Sequence, residues 1–124
     1  MNINLKKRLT RNFQLSEFLS DGDTPPDDEQ ILRNIECLAN RLQVVRDILG
    51  RPITINSGYR SVAYNNKTPG ASENSQHVLG KAADIVVYGM EPKAVQEALR
   101  GWSGGLGSYD TFTHVDIRPH KARW

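Results

Sequence analysis

Two histidines and one aspartate carry the clearest chemistry in this sequence. His77 and Asp84 lie seven positions apart, and His114 follows thirty residues after Asp84. Asp84 opens the apolar run 85–87, which is typical of a buried strand. A buried aspartate loses its hydration unless it is paired or bound to a metal. Imidazole and carboxylate groups suit Zn²⁺, and three protein ligands leave a fourth position for water. The pattern therefore predicts a divalent-metal site of the catalytic type.

The same residues have plainer explanations. A lone buried histidine is more often a hydrogen-bonded core residue than a metal ligand, and Asp84 could form a salt bridge with an arginine. Spacing alone leaves the metal site and these alternatives open.

The remaining sequence predicts the elements that position these residues. Apolar residues step by four and three from Ile31 to Leu49, which predicts an amphipathic helix over residues 27–49, with a cap at Thr24 and a stop at Gly50. Strands are predicted at 52–56, 82–88, 106–109 and 112–117, a helix at 92–99, and a long loop at 61–76. The pattern predicts an α+β fold, with a small antiparallel sheet packed against helices.

Length and composition narrow the class of protein. A chain of 124 residues suits one domain, which we place at 1–124 with residues 1–26 as a lead-in. The net charge of +2 and the scattered basic residues do not predict a nucleic-acid partner, and no apolar run is long enough to enter a membrane. The single cysteine, Cys37, forms no internal disulfide and is predicted to be buried. We expect a monomer.

Several motifs resemble the peptidase M15 family, especially its zinc D-alanyl-D-alanine carboxypeptidases and phage murein peptidase domains. The central motif is Ser75-x-His77-x-x-Gly80-x-Ala82-x-Asp84. The resemblance extends to the segments 12–18, 57–61, 104–109, 112–116 and 122–124. It implies a hedgehog/DD-peptidase-like fold and a zinc peptidase that cuts the stem peptide of bacterial peptidoglycan, as a phage or prophage lysin. The competing interpretation is a non-catalytic, zinc-stabilised cell-wall-binding or phage structural module on the same fold.

The start of the chain lacks the apolar segment of a secretory signal. We therefore expect the protein to be made in the cytoplasm and to act on the cell wall after release or as part of a phage particle.

The resemblance also assigns roles to individual residues. Its zinc ligands fall on His77, Asp84 and His114, and its carboxylate-binding arginine falls on Arg60. A planar guanidinium can hold a terminal carboxylate with two hydrogen bonds, although Arg60 could instead be a surface residue or the partner of Asp84. Ser75 is expected to hydrogen-bond the site or the substrate, and a local contact within its loop is almost as good an explanation.

The general base departs from the family pattern. Many members have a carboxylate three positions before the last histidine ligand, where this chain has Thr111. We predict that Asp116, on the same strand face as His114, serves as the base, with Asp110 as the second choice. An equally good role for Asp116 is to orient a metal ligand through a hydrogen bond.

Overall fold

The computed structural model describes residues 4–20, 22–72 and 74–124. Residues 1–3 and Asp21 of the predicted lead-in, and Glu73 of the predicted loop, lie outside that description. The elements in chain order are a 3-10 helix at Leu15–Phe18, α1 at Glu29–Leu49, β1 at Ile53–Ser57, α2 at Val62–Lys67, β2 at Ala82–Val87, α3 at Pro92–Ala98, β3 at Gly105–Ser108, β4 at Thr113–Asp116 and β5 at Ala122–Arg123. The α+β prediction is confirmed.

The long helix α1 follows the predicted periodicity closely. Its N-terminal cap is Asp28 rather than the predicted Thr24, because the Asp28 carboxylate accepts hydrogen bonds from the first free backbone N–H groups. It ends before Gly50, whose φ of 63° is left-handed. The predicted burial of Cys37 is wrong, since this thiol is exposed. Cys37 lies two positions from buried Ile35, which turns it about 200° around the helix.

The five strands form one sheet in the order β1-β2-β4-β3-β5. All neighbours are antiparallel except β3 and β5, a parallel edge pair that the sequence did not predict. One side of β2 presents Ala83, Ile85 and Val87 to a hydrophobic core shared with α1 and α3. Asp84 alternates to the opposite side of the strand, where the candidate site lies.

Two further segments shape that side of the sheet. The predicted loop 61–76 contains α2, which begins where the Ser61 hydroxyl accepts a hydrogen bond from the backbone N–H of Tyr64. On α3, Gln96 donates to the carbonyl oxygens of Tyr109 and Phe112, so the helix holds the hairpin between β3 and β4. Among the described residues, no helix has the length and apolar character that crossing a membrane requires.

Candidate metal centre

Strand register places Asp84 and His114 side by side. Across β1, β2, β4 and β3, four residues are direct neighbours in one row. In order, these are Ser57, Asp84, His114 and Gly107. Neighbours in such a row project toward the same face of the sheet. The two ligands predicted from distant parts of the sequence therefore meet because the strands pair in this register.

His77 completes the cluster from a turn that precedes β2. Its side chain is buried, and its Nε2 lies 3.3 Å from Oδ1 of Asp84. On the other side, Nδ1 of His114 lies 3.0 Å from the same carboxylate oxygen. One ligand atom from each of the three residues lies within 4.8 Å of the others. The structure thus brings together all three predicted metal ligands.

Hydrogen bonds at the outer ring nitrogens indicate which histidine atoms could bind a metal. Nδ1 of His77 lies 2.7 Å from the carbonyl oxygen of Gly58, and Nε2 of His114 lies 2.7 Å from Oδ2 of Asp116. A carbonyl and an ionised carboxylate only accept hydrogen bonds, so these outer nitrogens carry the protons. In a neutral ring the inner nitrogen then keeps its lone pair for a metal, and both inner nitrogens face Asp84. Where a ring is protonated, its inner nitrogen donates to that carboxylate instead. Metal-binding histidines are held by this arrangement, so the donor set fits a divalent metal.

Asp116 is completely buried and surrounded by donors. Its Oδ1 accepts hydrogen bonds from the backbone N–H of Gly105 and from the backbone and Nε of Arg118. Its Oδ2 accepts from Nη2 of Arg118 and from His114. Burial alone would raise the pKa of Asp116, but the hydrogen bonds from His114 and Arg118 hold that pKa well below its usual range. The geometry therefore supports a role in holding His114.

The charge of Asp84 is stabilised in a similar way. Burial alone would raise its pKa, but hydrogen bonds from His114 and His77 lower the pKa to about 2. Nη2 of Arg60 lies 3.7 Å from Oδ2, the oxygen that faces away from the histidines. Both kinds of partner predicted for Asp84 are therefore present, because an arginine contacts one carboxylate oxygen and the two histidines contact the other.

The cluster opens into a cleft of about 620 Å³. Arg60 lines the cleft, and its guanidinium donates to the Ser57 hydroxyl and to Oδ1 of Asn65, both at 3.3 Å. The opposite part of the lining is aromatic and comprises Tyr109, Phe112 and Trp124. A cationic group and an apolar surface therefore share one cleft with the candidate metal ligands.

A family model for peptidase M15 matches residues 11–116, which include every residue of the cluster. The chain belongs to the peptidase M15 family. Among curated M15-like relatives, the zinc D-Ala-D-Ala carboxypeptidase of Streptomyces albus G is 39% identical over 60% of this chain and 32% of its own length. The peptidoglycan L,D-endopeptidase MepK of Escherichia coli is 32% identical over 68% of this chain and 51% of its own length.

A third relative extends the similarity along the chain. A Haemophilus influenzae protein named probable peptidoglycan L,D-endopeptidase MepK is 30% identical over 95% of this chain and 73% of its own length. The chain spans about a third and a half, respectively, of the Streptomyces and Escherichia proteins that it matches.

Of the two other residues predicted for the site of this M15 chain, one lies at the cleft and the other lies outside it. Ser75 lines the cleft, but its hydroxyl also accepts a hydrogen bond from the backbone N–H of His77, so it shapes the turn that carries the ligand. Asp110 is exposed at the β3–β4 hairpin and lines a separate cavity beside Glu91 and Lys93. Among the described residues that line the cleft, Asp84 is the only carboxylate.

Three residues that help to shape this M15 site were not predicted from the sequence. Asn65 is buried and connects Arg60 to the carbonyl oxygen of Ser72. Arg118 binds both oxygens of Asp116. Trp124 packs with its ring centroid 5.0 Å from that of His114. The only sequence signal for Trp124 was its place at the end of the segment that resembles the family.

Proposed function

We propose that this chain is a zinc-dependent peptidase that hydrolyses peptide bonds in the stem peptide of bacterial peptidoglycan. The observation that carries the proposal is the convergence of Nε2 of His77, Oδ1 of Asp84 and Nδ1 of His114, with both outer N–H groups already bonded. Family membership supports peptide hydrolysis. The names of the relatives, a D-Ala-D-Ala carboxypeptidase and peptidoglycan L,D-endopeptidases, support the choice of substrate.

A bound zinc ion supplies a Lewis acid that polarises a carbonyl oxygen and makes water nucleophilic near neutral pH. The residues of the chain position the reactants around it. Arg60 presents a guanidinium to the cleft, held by Ser57 and Asn65, and can bind a substrate carboxylate with paired hydrogen bonds. Asp116 keeps the His114 proton on Nε2 and thereby keeps Nδ1 free for the metal.

The proton acceptor stays a prediction. Both oxygens of Asp116 accept hydrogen bonds, and its lowered pKa makes it a weak base. Asp110 and Thr111 are exposed, and neither is among the described residues that line the cleft. The lack of a placed proton acceptor among the described residues of the cleft supports a second candidate, a non-catalytic module that binds the cell wall and uses zinc for stability.

Metal analysis combined with digestion of purified peptidoglycan separates the two candidates. We expect one zinc per chain and released muropeptides that mass spectrometry assigns to a single type of bond. His77→Ala should abolish both zinc binding and release, whereas Tyr88→Ala, at an exposed position outside the cleft, should change neither. Stoichiometric zinc, cell-wall binding and no released fragment would refute the enzyme and support the binding module.

The same digestion identifies the bond that is cut. A free D-alanine product would indicate a D,D-carboxypeptidase, and a peptide fragment released by cleavage of an internal bond in the stem peptide or its cross-link would indicate an endopeptidase. The assignment to a phage or prophage lysin, made in the cytoplasm and delivered to the wall after release or in a particle, stays a prediction from sequence resemblance.

A further inference from the structure

Trp124 presents an exposed aromatic surface beside the candidate metal ligands. Trp124 is 47% exposed, whereas Trp102, the only other tryptophan, is 8% exposed. Its ring lies 5.0 Å from that of His114, and both residues line the cleft. Large aromatic side chains usually bury most of their surface in a core. An exposed indole inside the cleft is therefore a candidate contact for whatever enters it.

Several contacts hold this ring in place. The backbone N–H of Trp124 donates to Leu106, and its carbonyl oxygen accepts from Ser108, so the residue extends the β5 edge of the sheet. The ring lies over Gly107, where a Cβ atom would come within 2.6 Å of the indole. Only a residue without a side chain allows this close approach. The indole is thus positioned before any ligand binds.

The polar edge of the ring is already occupied. Its Nε1 donates to the Tyr109 hydroxyl at 2.9 Å, and the Arg118 guanidinium carbon lies 5.2 Å from the ring centroid. Tyr109 itself stacks on Phe112 with ring centroids 4.4 Å apart. With its N–H engaged, the exposed part of Trp124 offers mainly carbon atoms. A ligand group at this surface gains by burying methyl or methylene groups rather than by hydrogen bonding.

The row across the sheet determines where such a group must lie. Arg60 is bonded to Ser57 at one end of the row, and Trp124 covers Gly107 at the other, with Asp84 and His114 between them. Three strand spacings separate the ends by about 14 Å. A hydrogen bond of about 2.8 Å, one residue step of about 3.3 Å and an apolar contact of about 4 Å cover about 10 Å of that span. The Arg60 side chain covers part of the rest, because its guanidinium reaches from Ser57 to within 3.7 Å of the Asp84 carboxylate.

We propose that Trp124 forms the subsite for the aliphatic side chain of the substrate residue whose carbonyl is attacked, while Arg60 binds the carboxylate of the residue that follows it. This inference rests on the proposed function and specifies how the stem peptide lies across the metal centre. For a stem peptide that ends in D-Ala-D-Ala, the group on the indole is the methyl of the penultimate D-alanine.

Intrinsic fluorescence of the metal-free chain provides the first test, since no turnover is needed. The probe is the N-acetylated peptide L-Ala-D-Glu-L-Lys-D-Ala-D-Ala. Its binding should shift the wild-type emission to shorter wavelength as Trp124 loses contact with water. The Trp124→Phe variant retains only Trp102, so its emission should not move.

A coupling measurement provides the second test. Replacing the penultimate D-alanine of a fluorescently labelled probe with glycine removes one methyl, and wild type should bind it about fourfold more weakly. Trp124→Ala should bind both peptides equally, Trp124→Phe should keep the discrimination, and Tyr88→Ala should match wild type.

The two tests distinguish failure of this inference from failure of the proposed function. If the peptide binds wild type but the emission does not shift and Trp124→Ala still discriminates against glycine, the subsite is refuted while the peptidase proposal stands. If wild type binds neither peptide and releases no fragment from peptidoglycan, the proposed function fails and this inference fails with it.

Discussion

Replacing Asp116 with asparagine tests how His114 is prepared for a metal. The substitution keeps the shape of the side chain but turns one acceptor oxygen into an NH₂ donor. At the Oδ2 position, the new NH₂ group faces two donors, His114 Nε2 and Arg118 Nη2. At the Oδ1 position it would face three, from Gly105 and Arg118. We therefore expect the NH₂ group to lie beside His114.

Two consequences follow from that orientation. Two charge-assisted hydrogen bonds are lost, each contributing about 1.5–3 kcal/mol. Because the Arg118 side chain is 23% exposed and water can replace part of its bond, we expect a loss of about 2–4 kcal/mol in the free energy of unfolding. His114 can accept from the NH₂ group only by moving its proton to Nδ1, the atom that faces the metal. Zinc affinity should therefore fall by about 10- to 100-fold.

Both quantities are measurable without an activity assay. Zinc affinity is obtained by titrating the metal-free chain against a competing chelator, and stability by urea unfolding of the same preparation. Asp110→Asn is the matched control, since this exposed carboxylate lies in a different cavity and should leave both values unchanged. The reasoning is refuted if Asp116→Asn binds zinc as tightly as wild type and unfolds at the same urea concentration.

Three further results are expected. Asn65→Ala should raise KM about fivefold with little change in kcat, because Arg60 loses a hydrogen-bond partner; steady-state kinetics showing a fall in kcat alone would contradict this. Zinc at a hundred times its Kd should add about 2.7 kcal/mol to wild-type stability but nothing to His77→Ala, as measured by urea unfolding. Burial lowers the pKa of His114, but its hydrogen bonds to Asp116 and Asp84 raise that pKa above the usual 6.5. Metal-free wild type should therefore be more stable than His114→Gln by its full margin below pH 6.5. The margin should decline as the pH rises through the pKa of His114 in the folded chain. Urea unfolding of both proteins across that pH range measures the margin. A margin that stays constant would contradict a charged His114 paired with Asp116 and Asp84.

The long helix was predicted from a periodic pattern, the 3.6-residue repeat in α1. Alternation in β4 placed His114 and Asp116 on one face, but the complete ligand set, with His77 in a turn, was implied by the resemblance to the family. Cys37 shows the limit of residue preference, since the helical repeat places it opposite the buried side whatever the usual burial of cysteine. For Cys37, the helical repeat predicted exposure correctly, whereas the usual burial of cysteine did not.

Contacts between distant segments were not predictable from patterns. Alternation placed Asp116 on the same strand face as His114, but it could not show that Gly105 from the neighbouring strand and Arg118 would use both carboxylate oxygens. The helix α2 was missed because its Asn-rich sequence reads as a loop. The parallel strand β5 was missed because two residues carry no periodicity, and Trp124 follows directly from it.

The row of neighbouring residues across the sheet makes metal uptake a test of correct folding. Side chains alternate along a strand, so a slip of one residue between β2 and β4 would turn Asp84 away from His114. A misregistered chain would lack one ligand and bind zinc poorly. Zinc would then stabilise only the chains whose strands have paired correctly, and it would withdraw them from competition with proteases and aggregation. The ion that equips the site for chemistry would thus also select the molecules fit to perform it.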